Sequence, residues 1–119
     1  MVIDKTKKIS AYFYKLDSGK EPVREWLLSL DRNDRQIIGK DIQKIEFGWP
    51  IGMPFSRNLE KGLYEARSNI SNGRIARILF CIQKNEMILL HAFIKKTQAT
   101  PDREKELARK RMKGKDDND

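Results

Sequence analysis

Between Asn58 and Lys96 the chain offers three largely apolar runs, about Asn58 to Asn69, Arg74 to Gln83 and Met87 to Lys96. Only Ser71-Asn72-Gly73 and Lys84-Asn85-Glu86 separate them. Links this short and polar suit hairpins and leave no room for a crossover helix, so the runs must form an antiparallel meander. The same runs carry Arg67, Arg74, Arg77, Lys95 and Lys96 among their apolar residues. Strands seldom place cations there unless the sheet faces an anion.

The meander needs a cover, and the first half of the chain supplies it. Ile9 to Leu16 is aromatic and alternating and ends at Asp17-Ser18-Gly19, which predicts a first strand. Pro22 suits a first helical position, and Val23, Trp26, Leu27 and Leu30 recur at helical spacing. Ile37, Ile38, Ile42 and Ile45 form a second stripe that stops at Gly48, with Pro50 just beyond. These two helices are expected to lie as an antiparallel pair across one face of the sheet. Trp49-Pro50-Ile51-Gly52-Met53-Pro54 connects the two halves but divides no domains, because neither half has enough apolar residues for its own core.

After the meander, Thr100-Pro101 reads as the cap and first turn of a last helix. Asp102, Glu104 and Glu106 sit near its positive end, and Arg109, Lys110, Arg111 and Lys113 near its negative end. Apart from Leu107, Ala108 and Met112 this helix is almost wholly charged, so it is expected to be mostly solvated or partner-facing. The fold class predicted is α/β of the α+β kind: two N-terminal helices packed on a twisted, mainly antiparallel sheet, with a C-terminal helix. A single domain spans residues 1–113, and 114–119 is expected to be a disordered acidic tail.

Charge narrows the partners. Lys and Arg total 25 against 17 Asp and Glu, a formal charge of +8, which favours polyanions. The excess is local: Met1 to Ser56 holds 10 basic and 8 acidic residues, Arg57 to Lys113 holds 14 and 6. No long apolar run suggests a membrane span, and the polar start lacks the apolar middle of a signal peptide, so a cytoplasmic location is expected.

Several chemistries lack their residues. His91 is the only histidine and Cys81 the only cysteine, too few for a zinc site, so no metal is expected. Cys81, in the run Ile78-Leu79-Phe80-Cys81-Ile82, reads as a small core residue. No phosphate loop or dinucleotide fingerprint occurs, and no cofactor is expected.

What remains is cationic, and a phosphodiester suits it. Arg offers a planar fork for phosphate oxygens, and Lys a point charge whose pKa falls under burial or beside other cations. RNA carries its own nucleophile in the 2′-OH, so a protein without metal cleaves it by alignment, charge stabilisation and proton transfer. Strand alternation puts Arg77 on the face of Ile75 and Leu79, and Arg74 on that of Ala76 and Ile78, so a regular strand cannot aim both into one site. Glu65 is an available acidic partner for one of them. His91, between apolar neighbours, reads either as a packed, hydrogen-bonded side chain or as a general base. Tyr64, Phe80 and Phe93 read as core.

Gly62-Leu63-Tyr64-Glu65-Ala66-Arg67, Arg77-Ile78-Leu79-Phe80 and the segment from Leu89 to Pro101 resemble the RelE and ParE superfamily of bacterial toxins, specifically its phage-associated HigB-like branch. Pro22-Val23-Arg24-Glu25-Trp26-Leu27 and the basic helix to Met112 fit as well. The resemblance implies a RelE-like small domain that is the toxin of a type II toxin–antitoxin system. It implies a metal-independent endoribonuclease that cuts mRNA on the ribosome and is silenced by a cognate antitoxin, expected to be of helix-turn-helix type. By position, Arg67 and Arg77 match strand arginines associated with substrate phosphate, and Lys95 or Lys96 lies where the superfamily places catalytic groups. His91 ranks after these as a base, and Arg74, Gln98 and Lys110 complete an RNA-binding set. This chain has no Tyr after Tyr64, where RelE has a catalytic tyrosine, and Ala66 replaces a larger apolar residue. The alternative on the same fold is a non-enzymatic, ParE-like poison that binds DNA gyrase.

Overall fold

The computed structural model describes residues 6–96 and 98–114. The order of elements is β1 (Ser10–Phe13), α1 (Pro22–Leu28), α2 (Arg32–Gly48), β2 (Ser56–Glu60), β3 (Leu63–Asn69), β4 (Ile75–Gln83), β5 (Glu86–Ile94) and α3 (Asp102–Met112). One five-stranded sheet has the order β1-β5-β4-β3-β2. The expected meander is present: β3, β4 and β5 are antiparallel neighbours. Its turns require left-handed backbone, supplied by Asn72 (φ 59°) and Gly73 (φ 69°) in one and Lys84 (φ 57°) in the other.

Two features of the predicted sheet are corrected. The predicted first strand is present as β1, ahead of both helices, but it pairs parallel with β5, with Phe13 beside Leu89, so the mainly antiparallel sheet is mixed. The two helices between β1 and the meander are the crossover that a parallel pair needs. The run Asn58 to Asn69 is also two strands, because the chain reverses at Lys61-Gly62, where Gly62 has φ 78°.

β4 lies at the centre and is buried from Ala76 to Cys81, which is why its sequence is almost continuously apolar instead of alternating. On one side Ala76, Ile78 and Phe80 join Ala66, Met87, Leu89 and Ala92 under Val23 of α1 and Ile38, Ile42 and Ile45 of α2. The helix pair therefore covers one face, as its stripes dictate. Tyr64 stacks on Phe80 at 5.5 Å and Trp49 meets both edge-on, so the breaker-rich connection closes this core.

On the other side Leu63, Leu79, Cys81 and Leu90 meet Ala108 of α3. The last helix is thus docked along one edge, with Ala108 and Arg111 buried, while the rest of its residues stay exposed or half-buried. Its small apolar contribution suffices because Arg111 is also buried, donating to the Leu90 carbonyl at 2.8 Å and lying over the Tyr14 ring. Pro101 is the N-cap position of α3, and the hydroxyl of Thr100, expected as the cap, bonds Glu65 and Arg77 instead. The tail 115–119 lies outside the described residues. Among the described residues no helix is long and apolar enough to cross a membrane.

Candidate functional site

Sheet register gathers the strand cations. Arg67 of β3 faces Arg77 of β4, Arg57 of β2 faces Glu65 of β3, and Phe93 of β5 faces Arg77. Directly opposed residues share a face, as do residues two apart on one strand. Arg57, Glu65, Arg67 and Arg77 therefore all rise from the face on which α3 docks.

Glu65 is the centre of this group. Its carboxylate is fully buried and accepts Arg57 Nε at 3.2 Å on one oxygen. Its other oxygen accepts Arg77 Nη1 at 3.0 Å and the Thr100 hydroxyl at 2.5 Å. Arg77 is 1% exposed and spends the rest of its fork on Thr100 Oγ1 at 2.9 Å and the Gln98 carbonyl at 3.1 Å. Burial lowers the Arg77 pKa and Glu65 opposes that shift, so the carboxylate keeps a charge in place that the core alone would expel. The Nε atoms of Arg67 and Arg77 are buried and have no partner among the described residues.

Lys95 completes the cluster. Its backbone N–H bonds to the Ile75 carbonyl at 2.7 Å, continuing the ladder past Phe93 and placing Lys95 on the same face as Arg77. Burial, then Arg77 and Arg67, and more weakly Arg57, push the Lys95 pKa below the ordinary lysine range, with Glu65 pulling the other way. Four cations thus surround one carboxylate. The excess positive charge falls on Arg67 and Lys95, both half-buried and open to a ligand.

The other predicted residues are elsewhere. Arg74 is on the helix-pair side: its Nη2 donates to buried Asp34 of α2 at 2.8 Å and its Nε to the Ser71 carbonyl at 3.1 Å. It clamps the β3–β4 turn to α2. His91 faces Leu79, stacks on Phe93 at 5.7 Å, and bonds through Nε2 to Glu104 Oε1 at 2.9 Å. Because a carboxylate only accepts, that nitrogen carries the proton. Lys96 is exposed and lines a cleft of about 460 Å³ with Trp26, Phe93, Pro101 and Glu104. Gln98 contributes its carbonyl to Arg77, and its side chain is exposed. Lys110 lies on the outer surface of α3 beside Arg109 and Lys113.

Sequence reasoning missed Arg57 and Thr100. Arg57 lies one residue outside the run read as a strand, and Thr100 was read as a cap. A reversal at Gly62 is the signal that brings Arg57 beside Glu65. Cys81 is buried, and burial raises its pKa, as a core thiol requires. Among the described residues no three His, Cys, Asp or Glu side chains gather as metal ligands would.

Residues 25–113 match the family described as phage-derived protein Gp49-like. The chain belongs to the Gp49-like family. The family is toxin-like and related to RelE. The matched span holds the whole cation cluster of this Gp49-like protein, from Arg57 to Thr100, and all of α3; β1 precedes it. No curated protein matches the chain.

Proposed function

We propose that this Gp49-like protein is the toxin of a type II toxin–antitoxin system, a HigB-like, metal-independent endoribonuclease that cleaves mRNA on the ribosome. The observation that carries this reading is the assembly of Arg57, Arg67, Arg77 and Lys95 around the single carboxylate of Glu65. A sheet face so overcharged is complementary to a phosphodiester and, in the transition state, to a phosphorane that carries more negative charge.

The roles follow from position. Arg77 is buried and committed to Glu65 and Thr100, so it acts as the fixed charge beneath the site. Arg67 and the more exposed Arg57 bind the non-bridging oxygens. The ribose 2′-oxygen attacks phosphorus as its proton passes to water, the P–O5′ bond breaks, and O5′ takes a proton from Lys95. A lysine with a lowered pKa is a better proton donor at neutral pH than an ordinary one. The products are a 2′,3′-cyclic phosphate and a 5′-hydroxyl. A cognate antitoxin, of helix-turn-helix type on the family reading, would silence the protein by covering this cationic face with acidic groups.

The test is incubation of the purified protein with ribosomes carrying mRNA, followed by analysis of the new RNA ends. Cyclic-phosphate and 5′-hydroxyl ends with wild type, absent with Lys95→Met, support the reading. RNA left intact, with DNA-damage signalling on induction in cells, would assign the protein to gyrase instead.

A further inference from the structure

Beside the cation cluster is a second feature that the cleavage chemistry leaves unused. β1 pairs with β5 only as far as Leu89, so the segment from Leu90 to Ile94 is not covered by a strand on that side. The cleft of about 460 Å³ opens there, between Trp26 of α1, Phe93 and Ile94 of β5, and Pro101 and Glu104 at the start of α3, with Lys96 at its rim. Its size suits one small planar ligand and excludes a duplex.

Three relationships point to what enters. Phe93 is the cross-strand partner of Arg77, so one wall of the cleft adjoins the floor of the cluster. Lys95 belongs to the cluster and the next residue, Lys96, to the cleft. A polymer with alternating charge and rings, bound at the cluster by a phosphate, therefore brings a base to the cleft. Trp26, Phe93, Ile94 and Pro101 supply apolar walls for a flat ring. Of the three charged groups in the lining, Lys96, Arg103 and Glu104, the carboxylate of Glu104 is the acceptor; it is held by His91, which is itself fixed by stacking on Phe93. A carboxylate accepts and never donates, so it selects an edge that presents N–H groups.

Resting on the RNA-cleaving reading above, we propose that this cleft binds a single unpaired guanine of the RNA substrate, with Glu104 accepting both N–H groups of its Watson–Crick edge. Guanine is the base with two adjacent donors on that edge; the others present one. His91 is a positioning residue for Glu104, not the general base. Trp26 and Phe93 contribute stacking, which is indifferent to sequence, and Glu104 contributes the preference.

The experiment measures binding of the full chain to short, 2′-O-methylated single-stranded RNAs that cannot be cleaved, with one guanine replaced in turn by adenine, cytosine or uracil. Wild type should prefer the guanine oligonucleotide by roughly tenfold. Glu104→Gln should abolish the preference while retaining sequence-independent binding, and Arg67→Ala should weaken all sequences alike. Cluster-dependent binding with no base preference, or a preference unchanged in Glu104→Gln, overturns the guanine site and leaves the nuclease reading standing. Binding that ignores Arg67→Ala overturns both, and no binding overturns the guanine site. Tighter binding of free guanosine monophosphate than of the RNA makes the cleft a mononucleotide site and also overturns the proposal.

Discussion

Arg67 and Arg77 are direct partners across β3 and β4, yet they are used differently. Arg77 is buried and holds Glu65, Thr100 and the Gln98 carbonyl, whereas Arg67 remains half-buried. The pair separates two demands that the proposed cleavage chemistry would make: one cation immobile to fix the field, and one available to meet phosphate. Glu65 makes this arrangement stable, since without a carboxylate between them Arg57, Arg67 and Arg77 would repel one another.

Arg77→Ala should therefore act first on stability. Removing one partner of a buried ion pair costs about 3–5 kcal/mol, and Arg57 remaining on Glu65 places this case near the lower figure. Urea unfolding measures it; a change within about 0.5 kcal/mol would contradict the assignment of Arg77 as the structural anchor.

Lys95→Met should do the opposite. Because the folded pKa of Lys95 is lowered, its charge disfavours the folded state at neutral pH, and that penalty fades as pH rises through the folded value toward the ordinary one near 10.4. The variant should melt at the same temperature as wild type or higher while losing RNA cleavage. A clear drop in melting temperature would show that Lys95 supports the fold.

Asp34 provides a pH prediction away from the site. Backbone donation from Ser71 lowers its pKa, with the Ser71 hydroxyl and Arg74 adding to the shift against the effect of burial. Its stabilising contribution is complete above the unfolded value of about 3.9 and is lost as pH falls through the lower folded value. Asp34→Asn should lower the melting temperature at neutral pH, and the gap to wild type should narrow only below about pH 4. A gap independent of pH would contradict the role of the Asp34 charge.

The meander and the helix pair were legible because turn chemistry and apolar spacing are local properties of the sequence. The partner of β1 was not, since parallel pairing joins Ser10–Phe13 to Glu86–Leu89 across most of the chain and leaves no local mark. Arg67, Arg77 and Lys95 were legible as strand cations, and strand parity separated Arg74 from Arg77. Between Lys95 and Lys96 parity was uninformative, because Leu90 is an extra residue between the pairs Leu79–His91 and Phe80–Leu89. Thr100 illustrates a different limit: Thr before Pro signals a helix start, and nothing nearby reveals that its hydroxyl serves a carboxylate thirty-five residues earlier.

Salt should separate the roles of the cluster members. Counterion release gives single-stranded RNA binding a slope of about −0.7 per neutralised phosphate charge in a plot of log affinity against log salt. Arg67→Ala should reduce the magnitude of the slope by about that amount, and Lys110→Ala by less, because Lys110 lies on the outer surface of α3. Equal slopes for wild type and Arg67→Ala would remove Arg67 from the phosphate contact.

The central claim is that the charged face of the sheet cuts RNA, and mapping of RNA 5′ ends across cellular transcripts shortly after induction tests it most directly. Wild type, Arg67→Ala and Lys95→Met should be compared at matched levels of folded protein. New 5′-hydroxyl ends inside reading frames, present with wild type and absent from both variants, are the predicted result. Growth arrest by wild type with no new RNA ends would contradict it.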